Sequence, residues 1–545
     1  YEFAKKPPKG ETAPYLLYRK LLGAWAAFDP NLKVQAVYRY ISSHDVIHDL
    51  IEKKVLFQDA AGKLLEKWTD KEAPRPPVFS AVSGDILKAM VRFRVVMDGD
   101  DCPELWNDTC LQKDYQTFFQ QHFSEAEEQL CYATGKKMPP TDKHGKGIRF
   151  PGDGAKIISS NDMSGFTFRG RFVDGGECIS IGYESSQKAM NALMWLARNQ
   201  GYTHDGRVFL AWGRCGQMPP PIFDDTARLT RRRRPAGMAR PSSLKGWAES
   251  LTKALTGYRH TFKQAEMSQV NVMVLDAATK GRLSICYYSE MAGEDFIERI
   301  EKWHSLGRWR QHGYDSEKDE PFVYFGVPAP KRLVEACHGV SVGDSQMKLA
   351  LERIFYAILH GNPLPVDMER MVMSRAVKRA VCDDYYGWRR QVLEPACSVI
   401  ARRLNHTKEE YTVALDESKA DRSYLFGRLI AVADQMERAT FSRDEMGSRT
   451  TNAMRYMEIF STRPASTWMT LQRKLLPYQQ KREMYGGKER KLISKIGSMF
   501  HDDDFLSDRP LNGKFLLGYY CQQYAMELER EENRKKKEAL QEEEA

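Results

Sequence analysis

Two histidine-aspartate pairs, His44-Asp45 and His48-Asp49, repeat four residues apart and are the closest approach to a reactive motif in this sequence. On a helix that spacing would place both pairs on one face, as half of a His/Asp metal centre requires. The other such pairs, His204-Asp205 and His501-Asp502, stand far away along the chain, so surface or core histidines are the expectation. Cys337 and His338 are adjacent and have no second half to complete a metal site. The run Asp502-Asp503-Asp504 could face magnesium, although such a run more often starts a helix or fills a linker. There is no Gly-x-x-x-x-Gly-Lys-Ser/Thr phosphate loop, no His-Glu-x-x-His and no Gly-x-Ser-x-Gly. No catalytic residue, cofactor or metal is expected, and the chain reads as a protein without enzymatic activity.

A different chemistry is better represented. Cations, amides and aromatic rings are the groups that meet phosphates, base edges and base faces, and they cluster. Between Gly135 and Lys156 stand Lys136, Lys137, Lys143, His144, Lys146 and Arg149 against Asp142 and Asp153, in a Gly- and Pro-rich context that predicts an exposed basic loop. Asn161, Arg169 and Arg171 follow. In a strand over 166–172, Phe166, Phe168 and Phe172 would line one face and Arg169 and Arg171 the other, because side chains alternate. Arg231, Arg232, Arg233 and Arg234 form an uninterrupted cationic run. From Arg463 to Lys495 there are nine Lys or Arg against Glu483 and Glu489, whereas the segment from His501 onward carries twelve acids and seven bases. Concentrated positive charge of this kind is what a phosphate backbone demands.

These groups need elements to hold them. A chain of 545 residues exceeds one compact core and predicts several domains, and its 42% hydrophobic and 28% charged content is that of a folded protein. No apolar run is long enough for a membrane helix, the first residues do not read as a signal peptide, and the ten cysteines form no Cys-x-x-Cys pair, so a cytoplasmic protein with reduced thiols is expected. The fold class predicted is α+β. Helical spacing covers 15–27 and 34–54, and Met90 to Met97 reads as a strand. A helix over 187–198, preceded by Ser186, carries the apolar stripe Ala189, Leu193 and Leu196, and Val208 to Trp212 reads as a buried strand. Residues 214–245, stiffened by Pro219-Pro220-Pro221, read as a mobile linker. Strands over 270–276 and 282–288 flank a turn at 277–281. Beyond Gln346 the pattern is helical, ending in a charged tail after Glu527. The expected division is an N-terminal α/β domain (1–260), a hairpin with helical connector (261–410) and an all-α bundle (411–545).

The order of several motifs is specific. Ile157 to Asp162, Phe166 to Phe172 and Gly182 to Leu196 come first. Leu275 to Ser284, Phe426-Gly427-Arg428-Leu429, Thr451 to Met457, Thr467-Trp468 and Leu517-Gly518-Tyr519-Tyr520 follow. Together they resemble the large-subunit family of type I-C CRISPR Cascade complexes (the Csd family, Cas eight of subtype C). The resemblance implies a crRNA-guided complex in which RNA pairing reads the target while protein reads a short flanking motif, the PAM, in duplex DNA and promotes the R-loop. It implies as partners crRNA, double-stranded target DNA, the backbone subunits (Cas seven), the crRNA 5′-handle subunit (Cas five), small subunits (Cas eleven) and the helicase-nuclease (Cas three), with no membrane. It also implies that the C-terminal bundle can be made separately by internal translation, with Met436 or a nearby Met as a start.

On that scheme Asn161, Arg169, Arg171 and the loop Lys136 to Arg149 are assigned to the duplex, with Phe166 or Phe168 as a wedge or as core. Arg428, Arg438, Arg449, Asn452, Arg455, Lys474, Lys481 and Arg482 are assigned to the displaced strand. A crRNA-processing or DNA nuclease subunit, and a scaffold that binds only protein, are the alternative readings.

Overall fold

The computed structural model describes residues 13–543 apart from 69, 71, 83, 85, 87–88, 123–127, 159–178, 235–238, 264–267, 280, 316–317, 443 and 484–486. The strand expected over 166–172 lies outside the described residues. The chain folds as two compact units, one reaching Asp142 and including the segment that ends at Ser185, the other running from Lys143 and from Ser186 onward.

In the smaller unit, α1 (Pro14–Phe28) opens with a proline, whose fixed φ and missing N–H suit a first helical turn. Asn31 caps α2 (Leu32–Ser43), its side chain accepting from the Lys33 amide at 3.0 Å. The single helix expected over 34–54 is two helices. Asp45 stands between them and accepts from the amides of Ile47 (3.0 Å) and His48 (3.4 Å), which starts α3 (Val46–Glu52) and turns the chain. The same carboxylate lies 3.2 Å from His48 Nδ1, and His44 stacks on Tyr40, so the repeated His-Asp pairs build a helix junction. Among the described residues no group of three His, Cys, Asp or Glu could hold a metal ion. Leu22, Val34, Val37 and Ile41 pack with Leu111 of α4 (Thr109–His122), beside a buried Lys33 that reaches Asp100 and Asp108 at 3.0 and 2.6 Å. The strand expected over Met90 to Met97 does not form. Only Arg94 bridges to Glu104, and the Val95 amide bonds to Pro103, a residue with no N–H to return and extend a ladder. A two-residue ladder joins β1 (Gln129–Leu130) to β2 (Lys137–Met138).

The larger unit is built on a four-stranded antiparallel sheet in the order β3 (Tyr202–His204), β4 (Arg207–Gly213), β5 (Gln269–Thr279), β6 (Arg282–Ala292). The expected hairpin is present but tighter, with Thr279 opposite Arg282. Helix α5 (Tyr183–Asn199) starts three residues before Ser186, whose hydroxyl is bonded to the buried His144 ring at 2.9 Å. Its inward residues are Met190, Leu193 and Ala197, packed with Ile148, Val208 and Leu275; Ala189, expected in that stripe, is exposed.

Residues 214–245 are not a linker where they are described. Pro219, Pro220, Ile222 and Phe223 are buried, the Phe223 ring stacks on Tyr202 at 4.4 Å, and the chain enters α6 (Thr226–Arg231) under the cap of Asp225. Pro and Arg content suggested mobility, but the Ile-Phe pair anchors the segment by its buried apolar area.

Then come α7 (Leu244–Lys263), α8 (Gly293–Leu306) and a second hairpin, β7 (Trp309–Asp315) with β8 (Glu320–Gly326), which the sequence pattern does not predict. The remainder is helical as expected: α9 (Pro330–His338), α10 (Asp344–Leu359), α11 (Val366–Ala376), α12 (Glu394–His406), α13 (Arg422–Arg438), α14 (Asn452–Thr462), α15 (Pro464–Glu483), α16 (Lys488–Gly497) and α17 (Lys514–Glu543). The fold is therefore mixed α+β with a helical C-terminal region.

One continuous apolar core runs from β4 and β5 through α8 and α12 into α13 and α17. The last pair crosses at two glycines. A Cβ on Gly427 would sit 2.1 Å from the Phe515 carbonyl oxygen, and one on Gly518 would sit 2.1 Å from that of Tyr424. The divisions at 260/261 and 410/411 remain a partition of proposed roles, because β4 pairs with β5 across the first and α12 packs on α17 across the second.

Candidate nucleic-acid interface

The basic loop divides into an outer and an inner part. Lys136, Lys137, Lys143 and Lys146 are exposed. Arg149 is not available. Its guanidinium pairs bidentately with Asp153 at 2.7 and 2.8 Å and donates to the Gly206 carbonyl at 2.9 Å. That hydrogen bonding holds the Asp153 carboxyl below the usual range and raises the Arg149 pKa. Ile148 and Ala155 are fully buried beside it, so the end of the expected finger is a strap folded into the sheet, and Arg149 serves the fold. Asn161, Phe166, Phe168, Arg169 and Arg171 lie outside the described residues.

The arginine run is less bare than expected. Arg232 pairs with Asp224 at 2.6 Å, and Arg231 lies 4.0 Å from Asp315. Arg233 covers the Tyr258 ring at 4.2 Å and Arg234 the Trp247 ring at 5.8 Å. Arg231, Arg232 and Arg233 nevertheless stay exposed, with half of the Arg231 and Arg232 side chains open to solvent. Such pairs, screened by water, leave the cations able to meet a stronger anion.

In the bundle the structure separates two kinds of basic residue. Arg428 is wholly buried. Its Nε donates to Gln522 at 3.0 Å, Nη1 to Met499 Sδ at 3.5 Å, and Glu417 lies 3.9 Å away, while burial lowers its pKa. Arg438 is also buried, over the Tyr385 ring at 3.6 Å and bonded to Asp434 at 3.0 Å. Asp434 further accepts from Thr451, Tyr519 and Gln523, so Arg438 is one member of an internal network. Both arginines are unavailable to a nucleic-acid strand, contrary to their assignment. Asn452 spends its amide and side chain on Glu437 at 2.7 and 3.1 Å and fixes the start of α14. Arg449 pairs with Glu445 at 2.8 Å and keeps 44% of its side chain exposed.

The outward groups include Arg455 on α14 and Arg473, Lys474 and Lys481 on α15. Trp468, Leu471 and Leu475 take the inner face of α15, which turns these cations outward. Lys474 and Lys481 are seven residues apart and share a side, and Lys474 Nζ sits 5.5 Å over Tyr456. The Arg482 side chain lies outside the described residues. Sequence reasoning missed Lys378 and Arg379, which follow α11 and line a cleft with the first turns of α14; a basic pair just beyond a helix was the available signal.

An α+β chain with exposed Lys and Arg on both units has the chemistry of a partner for polyanions. Over residues 4–526 it matches the CRISPR-associated protein family Cas_Csd1, and it belongs to that family, which corresponds to the large subunit of type I-C Cascade. No curated protein matches it. Among the described residues no helix is long and apolar enough to cross a membrane.

Proposed function

We propose that this chain acts without a catalytic centre, as the large subunit of a crRNA-guided complex that recognises a flanking motif in duplex DNA, promotes its opening and holds the displaced strand. The proposed partners are crRNA, target DNA, the backbone, crRNA-end and small subunits, and the recruited helicase-nuclease. The single observation behind this reading is family membership across nearly the whole chain. The surface cations give it a physical route: Lys136, Lys137, Lys143 and Lys146 for duplex phosphates, Arg455, Lys474 and Lys481 for a single strand.

The test of the duplex arm is a salt titration of motif-bearing duplex binding by the assembled complex. Changing Lys143 and Lys146 together to Ala should lower the slope of log affinity against log salt by up to about 1.8, at about 0.9 for each phosphate no longer neutralised. An unchanged slope removes the loop from the interface.

A further inference from the structure

One cleft in the larger unit joins Arg455 to basic residues that no assignment above includes. It opens between residues 377–383, which leave α11, and the first turns of α14, and it encloses about 620 Å³. That falls within the range of roughly 300–1,000 Å³ typical of ligand sites.

Its charged lining is Lys378, Arg379 and Arg455 with Asp383 and Glu458, three cations against two carboxylates, a net charge of +1. Arg379 is only 7% exposed. Its guanidinium donates to the carbonyls of Cys382 (2.5 Å) and Asp383 (3.4 Å), and among the described residues no carboxylate pairs with it. The Asp384 carboxylate acts on it only through space, and a fork of five donors bonded to two carbonyls has donors to spare. Arg455 likewise makes no ion pair among the described residues and borders the same space from α14. Lys378 Nζ reaches Glu458 at 3.2 Å, and both side chains stay about half exposed, so this bridge is weak and can open. Among the described residues no aromatic ring lines the cleft, so it offers nothing on which a base could stack.

We propose that this cleft binds the phosphodiester backbone of a single nucleic-acid strand, with Arg379, Arg455 and a released Lys378 on the phosphates, independently of base sequence. The inference deepens the displaced-strand reading above and rests on it for the identity of the strand. The ligand chemistry is shared by displaced DNA and guide RNA, and separate oligonucleotide arms distinguish them.

The experiment is equilibrium binding of the full chain to oligo-dT, oligo-dA and an RNA of equal length across a salt series. Lys378→Ala with Arg455→Ala alters exposed side chains only and should reduce the salt slope by about 1.4, at about 0.7 for each single-strand phosphate released. Affinity at low salt should fall roughly tenfold, equally for dT and dA. Glu458→Gln frees Lys378 and removes a negative charge, so it should tighten binding severalfold, an outcome that a misfolded variant cannot imitate. Loss confined to DNA assigns the displaced strand and loss confined to RNA the guide, and both support the cleft. Unchanged slopes in the double variant, weaker binding by Glu458→Gln, or losses that differ between dT and dA overturn it. Opening of target DNA by complexes lacking the chain, measured separately, would sink the large-subunit reading while leaving a reduced slope as evidence for the cleft.

Discussion

Arg428 and Lys474 have the same charge and the same expected partner, yet their surroundings give opposite consequences. Arg428→Ala empties a fully buried volume and strands Gln522, so a loss of about 3 kcal/mol in unfolding free energy is expected by denaturant titration, with no change in salt slope while the chain stays folded. Lys474→Ala with Lys481→Ala should do the reverse, shifting stability by less than about 0.5 kcal/mol while lowering the single-strand salt slope. Sequence alone could not separate the two, because an arginine committed to a core amide reads like one facing water. His304 gives the fold an acid sensitivity of its own. Burial, and beyond it the charge of Arg402, pushes its imidazole from 6.5 down to about 3. The folded chain therefore refuses a proton that the unfolded chain accepts, and stability is lost as pH falls through the window from 6.5 toward 3. By pH 5 the loss from this group should reach about 2 kcal/mol. In His304→Asn the drop in melting temperature between pH 7 and pH 5 should be smaller than in the parent chain; equal drops would assign the acid sensitivity elsewhere.

At the scale of elements, the motifs that carried the family resemblance in the C-terminal half are packing motifs. Gly427 and Gly518 let α13 and α17 approach until backbone meets backbone, Thr451 caps α14, and Trp468 fills the core beneath it. Gly427→Ala or Gly518→Ala would place a methyl group against a carbonyl that cannot rotate away. Each should cost about 3 kcal/mol or more, read as a lower denaturation midpoint with loss of the bundle's cooperative transition. Helices with strong apolar spacing were legible in the sequence, as was the β5–β6 hairpin from its two apolar runs and turn. Three features were not. The Asp45 break required seeing a cap within a continuous apolar pattern, the β7–β8 hairpin is masked by His312, Gly313 and Pro321, and the burial of 219–223 depends on the distant Tyr202 and Phe355 rings.

For the whole molecule, the continuous core bears on any shorter product of the C-terminal region. A chain started at Met436 would lack most of α13, the helix that packs most closely against α17, so a separate bundle that folds needs a start upstream of Arg422. Mass spectrometry of the first residue of any such product checks this, and an N-terminus at Met436 in a stably folded fragment would contradict it. The general outline, α+β with basic surfaces and a helical C-terminal region, was readable from composition and spacing. Which cations stay outside was not, because burial is set by packing between residues far apart in sequence. The role proposed for this chain is to couple motif recognition to DNA opening. The most direct measurement is permanganate reactivity of guide-matched duplex DNA, with and without the flanking motif, in complexes assembled with and without the chain. Opening that requires both motif and chain is the predicted result, and equal opening in complexes that lack the chain would contradict it.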